Sequence, residues 1–141
     1  LSFYVDTSVI VAAITPEPHT DAAHAWLSSV EPASLVLSGW VFAEVQSALC
    51  RKVRMGRMSA EHRALAHSQF TRMVADSFTI VTVEERHFGR AAYFAEHHES
   101  GLRAGDALHL AISSERGLTL CTLDRTLAEA GLLLGVPTLL L

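Results

Sequence analysis

The sequence predicts a single α/β domain: a parallel central sheet of about four to five strands, flanked by helices on both faces. Short apolar or β-branched runs alternate with helix-compatible stretches along the whole chain, the order in which parallel sheets are built. Half of the 141 residues are hydrophobic and only 18% are charged, which suits a compact core rather than a solvated tail. Two of the apolar runs stop on an aspartate that then opens a helix, Asp6 and Asp124. In an open α/β sheet that position is the carboxyl edge, where ligands bind.

Residues 2–6 read as a buried strand and 7–14 as a short helix stopped by Thr15-Pro16-Glu17-Pro18. The next helix opens at His19-Thr20, carries Ala23, Trp26, Leu27 and Val30 on one face, and ends before Pro32. A second strand is expected over 34–38 and a third helix over 40–54, closed by the basic cluster Arg51, Lys52, Arg54 and Arg57. Ser59 restarts a fourth helix to about residue 76, with Leu65, Phe70, Met73 and Val74 as buried candidates. The β-branched run 78–83 predicts a third strand and 84–98 a helix. Residues 104–116 form a strongly apolar helix, 118–122 a strand, 124–134 a helix and 136–140 a last strand. With no internal repeat, low-complexity tract or linker, one domain over residues 1–141 is expected.

Composition narrows the function classes. No apolar run approaches the roughly 20 residues needed to span a membrane, and Gly135 and Pro137 break the Leu-rich end. No basic segment precedes a signal-like core, and Cys50 and Cys121 lack metal-finger spacing. A cytoplasmic protein with reduced thiols is the expectation, and a few residues are expected to precede Leu1, which is not Met. The net charge of −4 argues against broad coating of nucleic acid but leaves room for a confined site.

Four acids carry the chemistry. Asp6 and Asp124 fall at the same sheet edge, and Asp106 sits in the first turn of an apolar helix. Glu44 lies inside a helix on the stripe Val41, Glu44, Val45, Ala48, among apolar neighbours. Capping a helix accounts for each aspartate taken singly. A buried Glu44 needs a cation, a proton or donors, and an Arg partner is the plain alternative to a metal. If the four converge, their repulsion keeps some protonated unless a divalent cation is present. Oxygen ligands suit Mg²⁺ or Mn²⁺ rather than Zn²⁺, and the chemistry that follows is metal-assisted phosphodiester hydrolysis.

These segments resemble the PIN-domain nucleases, and in particular the VapC-type toxins of bacterial toxin–antitoxin pairs. The matching residues are Val5-Asp6-Thr7-Ser8, then Glu44-Val45 with Ala48-Leu49, then Leu102 through Ala111 around Asp106, then Thr122-Leu123-Asp124. The resemblance covers essentially the whole chain, and the Asp106 segment is its most specific piece. It implies a PIN-like fold in which Asp6, Glu44, Asp106 and Asp124 hold Mg²⁺ or Mn²⁺ as catalytic and metal-binding residues, with Ser8 and Thr122 as supporting hydroxyls. It implies endonucleolytic RNA cleavage, a cognate VapB-type antitoxin that inhibits the enzyme, and a homodimer. Water attacking phosphorus in line with the leaving 3′-oxygen would leave a 5′-phosphate and a 3′-hydroxyl. The one departure is Leu127, where the family often has Phe.

Other residues carry weaker signals. His109, three positions after Asp106, reads either as a partner of the acids or as a satisfied core histidine, and the mechanism requires no general-base His. His97, His98 and Glu99 read as solvated surface. The basic cluster 51–57 serves RNA, an antitoxin or the helix dipole equally well. Arg103 is a candidate phosphate contact, and the apolar face of Val9 to Ala12 with Trp26 is either core or dimer interface. A dehalogenase-like phosphatase would want Asp where Ser8 stands, and a receiver domain would want a late Lys, whereas the chain's single lysine is Lys52. The remaining rival is a catalytically silent PIN-like module that binds RNA or a protein.

Overall fold

In the computed structural model, which describes residues Leu1–Leu141, the short apolar runs form strands β1 (Phe3–Val5), β2 (Leu35–Ser38), β3 (Thr79–Val81), β4 (Thr119–Thr122) and β5 (Thr138–Leu140). They make one fully parallel sheet in the order β3-β2-β1-β4-β5. Tyr4 pairs with Val36 on one side and Leu120 on the other, so β1 is central and buried on both edges. The strand order reverses at β1, which puts a crevice beyond the carboxyl ends of β1 and β4.

The connecting helices are α1 (Thr7–Ile14), α2 (Thr20–Ser29), α3 (Gly39–Arg54), α4 (Ala60–Ser77), α5 (Glu85–Ala95), α6 (Ala104–Glu115) and α7 (Arg125–Leu133). Right-handed crossovers put α1 to α4 over one face of the sheet and α5 to α7 over the other. Accordingly α1 packs on α2, α3 and α4, while α5 packs on α6. No helix is long and apolar enough to cross a membrane.

Hydropathy explains the depth of each helix. Every residue of α1 from Val9 to Ile14 is buried, and so is every residue of α6 from Ala107 to Ser113. Helices apolar all round belong inside the fold, so the face of Val9 to Ala12 is core. Trp26 joins it by meeting Phe3 edge-on, with ring centroids 5.2 Å apart. α3 buries Val41, Val45 and Leu49 at four-residue spacing and leaves its other side wet.

The differences from the sequence reading are local. Leu65 is exposed, because α4 buries Ala66, Phe70 and Val74 and Leu65 stands about 100° from that stripe. α5 stops at Ala95 and a 3₁₀ turn covers His98–Ser100, closed by Gly101 in the left-handed conformation at φ 69°. β3 keeps only Thr79–Val81, being an edge strand with a single partner.

Close packing is tightest between α7 and β5. A Cβ placed on Gly131 would collide with Thr138 Cγ2 and lie 3.2 Å from Leu110 Cδ2 and 3.3 Å from the Val136 carbonyl. Gly131→Ala is therefore expected to cost about 1–3 kcal/mol of stability. Chemical denaturation reads this directly, and an unchanged midpoint would contradict the packing of β5 against α7.

Candidate metal centre

Asp6 is the first residue past β1 and caps α1, and its two carboxylate oxygens have separate tasks. Oδ2 accepts hydrogen bonds from Ser8 Oγ at 2.6 Å and Thr122 Oγ1 at 2.8 Å. Those hydroxyls also receive the backbone: Leu123 N–H donates to Ser8 Oγ at 3.0 Å and Asp124 N–H to Thr122 Oγ1 at 2.9 Å. The loop after β4 is thus tied to Asp6 through Ser8 and Thr122, the two hydroxyls that the family resemblance implies. Oδ1 faces the centre, 3.4 Å from His109 Nε2.

Glu44 reaches the same place from α3. It sits at the rim of the apolar stripe with its side chain 28% exposed, less buried than the sequence pattern implies. Thr7 Oγ1 donates to its Oε1 at 2.8 Å, and His109 Nε2 contacts the same oxygen. Burial alone would raise the Glu44 pKa, but the hydrogen bonds from His109 and Thr7 and the charge of the imidazole outweigh it and hold the carboxyl below its ordinary range. The Arg partner considered for Glu44 is absent; an imidazole takes that place.

Asp106 enters from the first turn of α6. Burial raises its pKa, and the charges of Asp6, Asp124 and Glu44 push it further, to about 6, against a smaller opposing pull from His109. α6 comes this close to α3 because residue 105 is glycine: a Cβ there would stand 3.2 Å from Glu44 Oε2 and 3.5 Å from the Trp40 ring. Asp124 caps α7, accepting from Leu127 N–H through Oδ1 at 3.2 Å.

His109 is fully buried, as a core histidine should be, yet its partners are the acids. Nδ1 lies 2.9 Å from the Tyr4 hydroxyl, which in turn lies 2.7 Å from Ser38 Oγ. Burial lowers the imidazole pKa, but the hydrogen bond to Glu44 and the charges of Asp6, Glu44 and Asp106 override that and raise it. Asp6, Glu44 and His109 each offer a ligand atom within 4.8 Å of one another. Sequence reasoning misses Thr7, and for His109 it offers the partner role only beside that of a satisfied core histidine. The available signal was the spacing Asp106-x-x-His109, which puts both on one helix face.

Of the four predicted acids, Asp6 and Glu44 meet within ligand distance beside His109, while Asp106 and Asp124 lie outside that group but close enough for the charges of Asp6, Asp124 and Glu44 to act on Asp106. Carboxylates so placed, one of them driven toward its protonated form by the others, suit a hard divalent cation. By contrast His98 and Glu99 are exposed, and the free Cys121 is a buried thiol whose pKa burial pushes up to about 12.

A fold of this order with acids at the reversal point of its sheet defines a class, and the PIN domain family model matches residues 3–132 of the chain. The chain belongs to the PIN domain family. It is 32% identical over 141 residues to Ribonuclease VapC46 of Mycobacterium tuberculosis, covering 98% of this chain and 96% of that protein. Its fold is shared with VapC20 of Mycobacterium tuberculosis, described as a Sarcin-Ricin loop cleaving toxin, at TM-score 0.75 and 20% identity over 92% of this chain and 95% of that one. It is shared too with VapBC2 from Rickettsia felis bound to a DNA fragment from their promoter, at TM-score 0.72 and 15% identity over 99% and 98% of the chains.

The raised Asp106 pKa has a stability consequence in metal-free protein. Unfolded, the group titrates near 3.8; folded, it holds its proton to about 6. The folded state thus binds more protons between those values, and stability falls as pH rises through that window. His109, also raised, contributes stability below about 6.5 that is lost at higher pH. Glu44 has the opposite sign and contributes only as pH rises through its own, lower range. Thermal melts in EDTA should therefore decline from about pH 4 to pH 6. Asp106→Asn should flatten that decline and melt higher than the parent at neutral pH, and a lower melting point for the variant there would contradict the repulsion.

Proposed function

We propose that this chain is a metal-dependent endoribonuclease of the VapC type, hydrolysing RNA phosphodiester bonds as the toxin of a toxin–antitoxin pair. The observation that carries this is the convergence of Asp6, Glu44, Asp106 and Asp124, with the Asp106 carboxyl pushed up to about 6 by its neighbours. The likeness to Ribonuclease VapC46 over nearly the full length of both chains supports the activity.

Asp6 Oδ1, Glu44 and Asp106 are the oxygens that would hold the cation, and Asp124 completes the negative field, directly or through water. Mg²⁺ or Mn²⁺ fits this donor set, since hard cations favour oxygen ligands. When bound, such an ion supplies Lewis acidity to the phosphate and lowers the pKa of a coordinated water. The chain's own part is positioning. Ser8 and Thr122 saturate Asp6 Oδ2 and so leave Oδ1 turned inward. His109, steadied by the Tyr4 hydroxyl, holds Glu44 Oε1 together with Thr7. Water adds to phosphorus as the bond to the 3′-oxygen breaks, the departing oxygen takes a proton, and the products are a 5′-phosphate and a 3′-hydroxyl.

We assign the working partners by the same reading: an RNA substrate, a VapB-type antitoxin and a second copy of the chain, in the cytoplasm. The promoter-bound Rickettsia felis VapBC2 supports a partner that carries DNA binding.

Purified protein incubated with total RNA should give discrete fragments with Mg²⁺ or Mn²⁺ and none with EDTA. Asp106→Asn, purified identically, should lower the rate by at least about a hundredfold and lose the metal-induced rise in melting temperature. Intact RNA with a preparation that binds Mn²⁺ and carries no antitoxin would instead support the silent binding module.

A further inference from the structure

A groove of about 590 Å³ is lined by Thr7 and Glu44 of the acid centre and by Arg51, Lys52 and Arg57. On α3, Glu44, Ala48 and Arg51 recur at spacings of four and three, so they share one face, and Arg51 stands about 10 Å along the helix from Glu44. Arg57 is brought back to the groove by the turn at Gly56. That residue has a left-handed φ of 71°, and Arg57 N–H donates to the Lys52 carbonyl at 2.9 Å. Three of the chain's 11 Lys and Arg residues thus line one groove of a protein whose net charge is −4.

The three cations are not equivalent. Lys52 Nζ is tied to Glu17 at 2.7 Å. Arg51 and Arg57 have no carboxylate within ion-pair distance. The helix dipole accounts for basic residues in the last turn of α3, namely Arg51, Lys52 and Arg54. It accounts neither for Arg57, which lies past the helix and is folded back, nor for a groove that opens on the acids. Between the charges lie Val11, Ala48 and the exposed Met55, apolar surface of the kind that ribose and base faces cover in sequence-tolerant binding.

We propose that this groove is a binding site for the sugar-phosphate backbone of single-stranded RNA, with Arg51 and Arg57 each gripping a phosphate further along the strand from the acid centre. The position of the cut bond rests on the nuclease reading; the groove itself does not. A planar guanidinium carries paired donors that match phosphate oxygens. The acids repel RNA, so attraction has to come from beside them, and the groove supplies it.

The test is binding, read separately from cleavage. A fluorescein-labelled mixed-sequence RNA of about 16 nucleotides is titrated by anisotropy into Asp106→Asn protein across about 50 to 200 mM salt. Adding Arg51→Ala and Arg57→Ala should weaken binding roughly tenfold and reduce the slope of log affinity against log salt by about 1.4, at about 0.7 per lost phosphate contact. Arg54→Ala, outside the groove, should change neither, and the paired Lys replacements should keep the slope while losing part of the affinity. Melting curves verify that each variant is folded. Equal affinity and slope in the double variant would overturn the proposal, as would the absence of salt-dependent binding by the parent. RNA binding left intact while capture of the co-expressed antitoxin weakens would also overturn it and give the cations to a protein surface. Should the nuclease reading alone be wrong, the unsubstituted protein would leave RNA whole in Mg²⁺ while the double variant still lost binding.

Discussion

Carboxylates that meet beyond the ends of β1 and β4 repel one another, and most of the detail around them answers that repulsion. Asp6 has Oδ2 neutralised by two hydroxyl donors, and Asp6 and Asp124 both accept from the first turn of a helix they cap. Glu44 is held by a threonine and a buried imidazole. Asp106 has none of these and instead keeps its proton to about 6. It is the carboxyl that burial and the neighbouring charges push toward its protonated form. Repulsion within a cluster of this kind lowers stability, and a divalent cation would relieve it.

The fold supplies the convergence through one topological fact. Because the sheet order turns at β1, the segments after β1 and β4 run side by side, and helices from opposite faces can lean over the same edge. α3 brings Glu44 and α6 brings Asp106 and His109. The missing side chain at Gly105 lets those helices approach. Beneath them, the Ser38, Tyr4 and His109 contacts form a buried polar column in which each ring or hydroxyl atom has a partner. Satisfied networks of this kind fix a single side-chain arrangement, and removing one member leaves the next unpaired.

Capping and metal binding are compatible roles for Asp6 and Asp124. A carboxylate has two oxygens, and in each aspartate the backbone amides engage only one. The helix N-terminus lowers the cost of holding a negative charge at the edge and leaves the other oxygen for the centre. The cationic groove beside Glu44 divides charge on a larger scale: acids at the sheet edge, Arg51 further along α3 and Arg57 folded back beyond its end.

Much of this was determined by the sequence alone. The alternation of apolar runs with amphipathic stretches set the parallel α/β class, because only burial on both faces accommodates such strands. Asp6 and Asp124 at the ends of apolar runs, and Asp106 in its first turn, were placed by local pattern to within a residue. Ser8 and Thr122 followed as supporting hydroxyls from family resemblance, and both donate to Asp6. What the tertiary structure decided was who meets whom across the chain. His109 lies 65 positions from Glu44 and 105 from Tyr4. The spacing Asp106-x-x-His109 admits a histidine partner for the acids but not the contact with Glu44, and nothing local shows that Thr7 donates to Glu44. Leu65 misled for the same reason: hydrophobicity shows that a residue can be buried, but the angle at which a helix docks decides whether it is.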